Sequence, residues 1–449
     1  MLKKVGILGT VILLSLMIST SALAQKELLR AGPMLGYVEM QEANIWVQTT
    51  EETTVEIRYW IKGNEEGTDQ LYTGRTDAAN SFTKHIKLQN LEFGSAYIYE
   101  LYLNGEKISL AYPTEFTTQN LWQWRTDPPA FTMAFGSCLY VNDKKYDRPG
   151  DPYGTSPEIL DAINAKNPDL MIWMGDNVYY REPDFYSLSR MDYRYRDARD
   201  TPEMQPLLAG AINLATWDDH DYGPNNSNRS YRMREEAVDI FKRYWANPGS
   251  NGGGIYTKYK YNDVEFFLLD DRYFRAPNQV DNTDKAYFGE EQMQWLKDGL
   301  VSSNAAFKIV INGNQVTNVD NTHESFPMYK EEFGELMDFL AEEKVEGVLF
   351  LSGDVHYSQL LKTEREGLYP IYEFTSSPLT AGVYEIADSE ENYNNPLHVN
   401  GTLVTEYNFG MIEVSGPRQK RVLTLKSFDR EGNLLWEREV SREELSISE

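Results

Sequence analysis

Five short polar clusters recur along the chain, and each lands directly after a hydrophobic run. The clusters are Gly136-Ser137-Cys138, Gly175-Asp176-Asn177, residues 217–221 (WDDHD), Gly313-Asn314-Gln315 and residues 353–356 (GDVH). The runs before them are 131–135 (FTMAF), 170–174 (LMIWM), 211–215 (AINLA), 307–311 (FKIVI) and 348–351 (VLFL). Short apolar runs bounded by turn residues read as buried strands. The third is the least regular, because Asn213 interrupts it. Active sites of α/β proteins gather at the carboxyl ends of strands. Strands that end in Gly plus an acid, a Cys or a His therefore set metal-ligand types along one sheet edge. That pattern indicates an enzyme.

At 449 residues the chain exceeds the roughly 250–300 residues at which one hydrophobic core stops growing, so two domains are expected. Its apolar fraction of 41% and aromatic fraction of 13% exclude wholesale disorder. Residues 1–24 read as a signal peptide: Lys3 and Lys4 begin it, residues 5–18 are mostly apolar, and Ala22-Leu23-Ala24 supplies a small-residue cleavage pattern. The apolar part falls short of the ~20 residues of a membrane span. The chain is thus expected to be exported, to a periplasm or the medium, with no stable span after cleavage. No Cys follows Ala24, which gives no support to a lipid anchor.

The formal charge of −26 becomes −28 once Lys3 and Lys4 are removed. Such a surface repels nucleic acid, whose backbone needs Lys/Arg stripes. It repels phosphate too, so phosphate chemistry here requires local cations. Cys138 is the only cysteine, which excludes an intramolecular disulfide and leaves a thiol to be explained.

Residues 26–118 read as an all-β sandwich domain of short alternating strands at 44–49, 54–60, 82–88 and 97–103. Leu91, Phe93, Gly94 and Tyr97 are similar to the turn before the late strand of fibronectin type III and immunoglobulin-like domains. Residues 117–129 read as a linker. From 130 to 437 strands alternate with helical stretches at 156–167, 232–245, 290–300 and 331–343, and 438–449 reads as a polar tail, a frayed helix.

Hard oxygen ligands suit Ca, Mg or Mn, whereas thiolate, imidazole or phenolate suits iron or zinc. The clusters hold both kinds, which suggests two different metals with Asp176 as the bridging carboxylate. Two cations about 3.5–4 Å apart can clamp a phosphoryl group and ionise water. Of the five histidines, at 85, 220, 323, 356 and 398, two fall inside the clusters.

Residues 217–221 and 353–356, in order with Gly-Ser-Cys and Gly-Asp upstream, resemble the alkaline phosphatase D (PhoD-like) family of calcineurin-like metallophosphoesterases. Residues 269–272 (LDDR) and 376–378 (SSP) add to the likeness, which runs from Phe131 to Ser377. It implies a metallophosphatase β-sandwich flanked by helices. It also implies an iron-type site of Cys138, Asp176, Tyr179 and His356, and a calcium-type site of Asp176, Asp219 and Asp354 with Asn225. Fe(III) and Ca(II) are the implied cofactors, with Zn, Mn or Mg as substitutes. His220 is implied as an acid or phosphoryl stabiliser, and Arg272 as a clamp on phosphate oxygens. The insertion 181–205 is expected to shape the pocket entrance, and Gly313-Asn314-Gln315 to support the site. The implied reaction is hydrolysis of small phosphate monoesters by metal-activated water. The alternatives are a phosphodiesterase or phospholipase-like enzyme on the same residues, or a catalytically silent exported binding protein.

Overall fold

The computed structural model describes residues 28–250, 252–281, 285–321, 324–386, 391 and 393–447. The expected signal peptide lies outside the described residues. Among those residues no helix is long and apolar enough to cross a membrane.

The chain opens with β1 (Leu29–Val38), β2 (Glu42–Thr49), β3 (Thr54–Ile61), α1 (Glu65–Thr68), β4 (Gln70–Arg75), β5 (Thr83–Gln89), β6 (Ala96–Leu103), β7 (Glu106–Lys107) and β8 (Glu115–Thr117). They form a three-stranded sheet, β1-β2-β5, and a five-stranded one, β4-β3-β6-β7 with β8 also on β6. Alternate side chains of β6 are buried, as its sequence alternation dictates. The turn before β6 is tied by the Glu92 amide, which donates to the Tyr97 hydroxyl at 2.8 Å.

Strand β1 carries no alternation, and nothing in its sequence marks it as a strand. It is buried from Ala31 to Val38 because it has neighbours beyond its own sheet. It packs on α4 (Met204–Gly210) and on β11 (Ile212–Thr216). Gly36 lies so close to Ala246 that an added Cβ would sit 2.5 Å from the alanine Cβ. Residues 117–129 are no loose tether either. Gln119 donates to the Val38 and Lys260 carbonyls, both at 2.9 Å.

Two six-stranded sheets follow. One has the order β11-β10-β9-β18-β19-β20, with β9 (Phe131–Gly136), β10 (Leu170–Met174), β18 (Asn408–Ser415), β19 (Val422–Asp429) and β20 (Leu434–Ser441). The other has the order β12-β13-β14-β15-β17-β16, with β12 (Thr257–Tyr261), β13 (Val264–Leu268), β14 (Phe307–Ile311), β15 (Val348–Ser352), β16 (Gln359–Thr363) and β17 (Ile371–Thr375). The sheets pack face to face: Phe135 meets Phe374 edge-on at 4.9 Å, and Phe374 lies 4.6 Å from Trp436. The remaining helices are α2 (Ile159–Ala165), α3 (Leu188–Arg199), α5 (Asp219–Tyr222), α6 (Arg234–Tyr244), α7 (Gly289–Ser302) and α8 (Lys330–Glu342). The fold is thus α/β with sheets dominating, after an all-β N-terminal part.

Strands β9, β10 and β11 run parallel, as do β13, β14, β15 and β17. Their carboxyl ends therefore share one edge of the sandwich, and all five polar clusters lie there.

Two expectations are corrected. Asn213 does not weaken its strand, because every residue of β11 is buried. Its carbonyl oxygen accepts from the Trp173 indole at 3.0 Å, and its amide donates to the Leu35, Leu208 and Ala211 carbonyls. Residues 438–447 are not a frayed helical tail. Residues 438–441 complete β20, which pairs with β19, and Leu445 is buried with its carbonyl bound by the Gly347 amide at 2.9 Å. On the free edge of β11, the Asn247 side chain takes the place of another strand. It accepts from the Ala215 amide at 3.0 Å and donates to the Ala215 carbonyl at 2.7 Å.

Two glycine substitutions separate close packing from chain entropy. Gly36→Ala should lower unfolding free energy by about 1–3 kcal/mol, because its methyl group meets backbone that cannot move aside. Gly334→Ala in α8, with open space around the site, should raise it by about 0.5–1 kcal/mol. Urea denaturation of both variants checks the opposite signs.

Candidate metal centre

Four non-glycine residues at this edge adopt left-handed backbone: Cys138 (φ 60°), Asp176 (52°), Asp354 (71°) and His356 (60°). Each such residue costs roughly 1–2 kcal/mol, so the surrounding structure must enforce it. The Leu139 amide donates to the Asp176 carbonyl at 2.9 Å, and the Thr380 and Ala381 amides donate to the Cys138 carbonyl at 3.2 and 3.1 Å. The His356 amide donates to the Ser377 hydroxyl at 3.1 Å, and the Gly353 amide to the Gly313 carbonyl at 2.8 Å. Strain held this firmly at strand ends marks a functional site.

The side chains converge in two overlapping groups. Ligand atoms of Cys138, Asp176 and His356 lie within 4.8 Å of one another, as do those of Asp176, Asp219 and His220. Asp176 belongs to both. The Tyr179 hydroxyl joins the first group, 3.4 Å from His356 Nε2. A close contact of His356 Nδ1 with the Gly382 carbonyl puts the proton on Nδ1 and leaves Nε2 free as a lone pair. The Ser377 hydroxyl donates to Cys138 Sγ at 3.1 Å. Tyr180 belongs elsewhere, its ring 6.3 Å from Tyr195.

In the second group Asp219 Oδ2 accepts from the Asn226 amide at 2.5 Å, while the buried Oδ1 has no hydrogen-bond partner among the described residues. His220 Nε2 is 3.9 Å from that oxygen, and its ring stacks on Tyr179 at 4.3 Å. Asp354 and Asn225 line the same cleft, but the Asp354 carboxylate belongs to neither group among the described residues.

Electrostatics shows what this arrangement favours. Burial, then the neighbouring charges of Cys138 and Asp219, pushes the Asp176 carboxyl well up. Burial, Glu324 and Asp219 do the same to Asp354. Burial raises the Cys138 thiol against hydrogen bonds from Ser377 and Ser137. Burial also holds His220 below the usual imidazole range, hence neutral. Several acids and a thiol share one low-dielectric edge, and one carboxylate oxygen is orphaned. These residues fit cations: a thiol, imidazole and phenol on one side suit iron or zinc, and carboxylates on the other suit a hard ion.

Arg272 is not a phosphate clamp. Its guanidinium is fully buried and does not line the cleft. It bonds Asp218 through Nε at 2.6 Å and Glu324 at 2.7 Å, and Arg275 bonds the same Glu324 oxygen at 2.7 Å. It stands behind Glu324, which does face the cleft. Asn314 donates to Asp218 Oδ2 at 2.8 Å, the supporting role expected of its cluster.

Sequence reasoning missed the hub of this support, Asp221. Its buried carboxylate accepts from the amides of Asp176 (3.3 Å), Asn177 (3.1 Å) and Asp218 (2.6 Å), and from the Asn177 side chain (2.8 Å). The signal was available: Asp218 and Asp221 stand three apart and form a capping box at α5.

The cleft above the edge holds about 1400 Å³. Arg181, Glu182 and Phe185 of the 181–205 insertion line it, as does Tyr153.

Asp221→Ala leaves four buried N–H donors without an acceptor. It should destabilise the chelator-treated protein by about 3 kcal/mol, measured by urea denaturation.

Comparisons with known proteins agree with this geometry. Residues 26–121 match a domain of unknown function (DUF7800), and residues 152–422 match the PhoD-like phosphatase family. Cys138 precedes the latter match; the other site residues fall within it. The chain is 23% identical over 348 residues to alkaline phosphatase D of Bacillus subtilis (strain 168), covering 66% of this chain and 56% of that protein. It thus spans little more than half the length of that relative. It is similar to the solved structure of PhoD with a TM-score of 0.73, at 16% identity over 92% of each chain. With more than half of its length in the family match, the chain belongs to the PhoD-like phosphatase family.

Proposed function

We propose that this chain is a phosphatase that hydrolyses small phosphate esters, monoesters foremost, at a two-cation site built on Asp176. The observation that carries this reading is the membership of Asp176 in two ligand groups of opposite character. Cys138, Asp176, Tyr179 and His356 would hold Fe(III). Asp176, Asp219 and Asp354, with Asn225, would hold Ca(II); Zn, Mn or Mg are substitutes. Such a pair of cations supplies positive charge for the phosphoryl oxygens and acidity that makes water a nucleophile at neutral pH.

The chain's own residues do the rest. Asp176 fixes the spacing of the two halves. The Gly382 carbonyl orients His356, and Ser377 supports the thiolate. His220, a neutral imidazole with its side chain 25% exposed, reaches the cleft and would donate a hydrogen bond from its ring N–H to the leaving oxygen as the ester bond breaks, the proton that oxygen finally takes coming from the attacking water. Arg272, engaged by Asp218 and Glu324, is not free to bind the anion that a chain of charge −26 otherwise opposes, and that binding would fall to the cations these residues would hold. The basic start, the apolar stretch 5–18 and Ala22-Leu23-Ala24 support an exported enzyme.

A second reading, hydrolysis of phosphodiesters by the same residues, is favoured by the volume of the cleft. At about 1400 Å³ it exceeds the 300–1,000 Å³ usual for small-molecule sites. Initial rates on p-nitrophenyl phosphate and bis(p-nitrophenyl) phosphate decide between the two.

Asp176→Asn should lose metal and phosphatase activity together, read by elemental analysis beside the rate; full activity with full metal content would overturn the site. His220→Ala should keep its metal while turnover falls about 10²–10³-fold, less for aryl than for alkyl esters, because an aryl leaving oxygen carries less charge for the ring N–H to stabilise. Loss of metal in that variant would make His220 a ligand instead.

A further inference from the structure

Three of the tyrosine rings at the cleft have a face covered by a cation or an imidazole. Arg181 lies 3.9 Å over Tyr140, Arg190 4.0 Å over Tyr146, and His220 stacks on Tyr179 at 4.3 Å. Tyr384 differs. Its ring stacks on His356 at 4.7 Å and 20°, and its amide donates to the His356 carbonyl at 3.1 Å, so the ring is fixed beside the candidate metal centre. Its other face has no ring or cation upon it among the described residues. Tyr384 lines the cleft yet is 56% exposed. Tyr153 and Ile386, also lining the cleft, are 41% and 42% exposed. Large apolar side chains left open beside a catalytic edge mark a place for an organic group.

We propose that the free face of Tyr384 seats a planar ring in the alcohol part of the substrate, making this chain selective for phosphate esters whose alcohol is aromatic or carries an aromatic ring. The proposal rests on the phosphate-ester reading above and deepens it. A ring stacked there continues the pile already begun by His356 and Tyr384, with Tyr153 at its edge (6.1 Å from the imidazole). A flat π-face suits that slot better than a puckered ring of equal apolar area, because offset stacking adds to area burial.

Binding of phosphonates, which keep the phosphoryl oxygens but are not hydrolysed, tests this without turnover. Calorimetric titration of the metal-loaded protein with methyl-, cyclohexyl-, phenyl- and 3-phenylpropylphosphonate should show an aromatic ligand bound roughly tenfold more tightly than the cyclohexyl one. Phenylphosphonate binding tightest places the ring on the ester oxygen itself, and 3-phenylpropylphosphonate binding tightest places it on a tether. Tyr384→Ala should bring the aromatic-to-cyclohexyl ratio close to one, and Tyr384→Phe should preserve it. Equal binding of phenyl and cyclohexyl ligands by the unaltered protein, or a ratio that survives Tyr384→Ala, overturns the proposal while leaving the phosphate-ester reading intact. Failure of all four phosphonates to bind overturns both.

Discussion

The rest of the structure depends on keeping like charges together in a dry place. Asp176, Asp219, the half-buried Asp354 and the Cys138 thiol converge on one sheet edge where water screens them poorly, and burial and mutual repulsion push Asp176, Asp354 and the thiol toward their neutral forms. A chain left to relax would splay them. Two packed six-stranded sheets, a lattice of amide donors around Asp221 and four left-handed residues prevent it. Rigidity around repelling ligands keeps a cation site preformed, so binding need not first order the chain.

Charge is arranged in layers behind that edge. Asp218 and Glu324 lie next to it, and Arg272 and Arg275 lie one layer further in, where they bond Glu324 and Asn314 as well. Removing an arginine there would strand a buried carboxylate, which is commonly worse than lacking the pair altogether. The arginines thus act on the cleft through the acids they hold.

Much of this was legible in the sequence, for a local reason. Runs such as 170–174 and 348–351 are apolar throughout because parallel strands are covered on both faces, and the polar residues directly after them can only emerge at a strand end. Cys138, Asp176 and His356 stand out that way and do meet, while Tyr179, which joins them, was implied only by the family resemblance. What escaped was non-local. Asn213 looked like a flaw because its partners, Trp173 and Leu35, lie 40 and 178 residues away in sequence. Arg272 looked free because Glu324 is 52 residues on. Strand β1 has no alternation because it is buried by α4 and β11 as well as by its own sheet. The polar residues 438–441 read as tail because β20 is an edge strand, where one face stays wet.

The outermost strand of the first large sheet, β11, would offer its free backbone to any passing strand were it bare. The Asn247 side chain plugs that backbone at Ala215, and β1 lies against the same strand with its Leu35 carbonyl tied to Asn213. The N-terminal sheet thereby packs against the strand whose edge Asn247 caps. A fragment beginning near residue 130 would keep every site residue and the Asn247 plug but lose β1, baring the apolar residues of α4 and β11 that it covers, so its failing would be solubility and not chemistry.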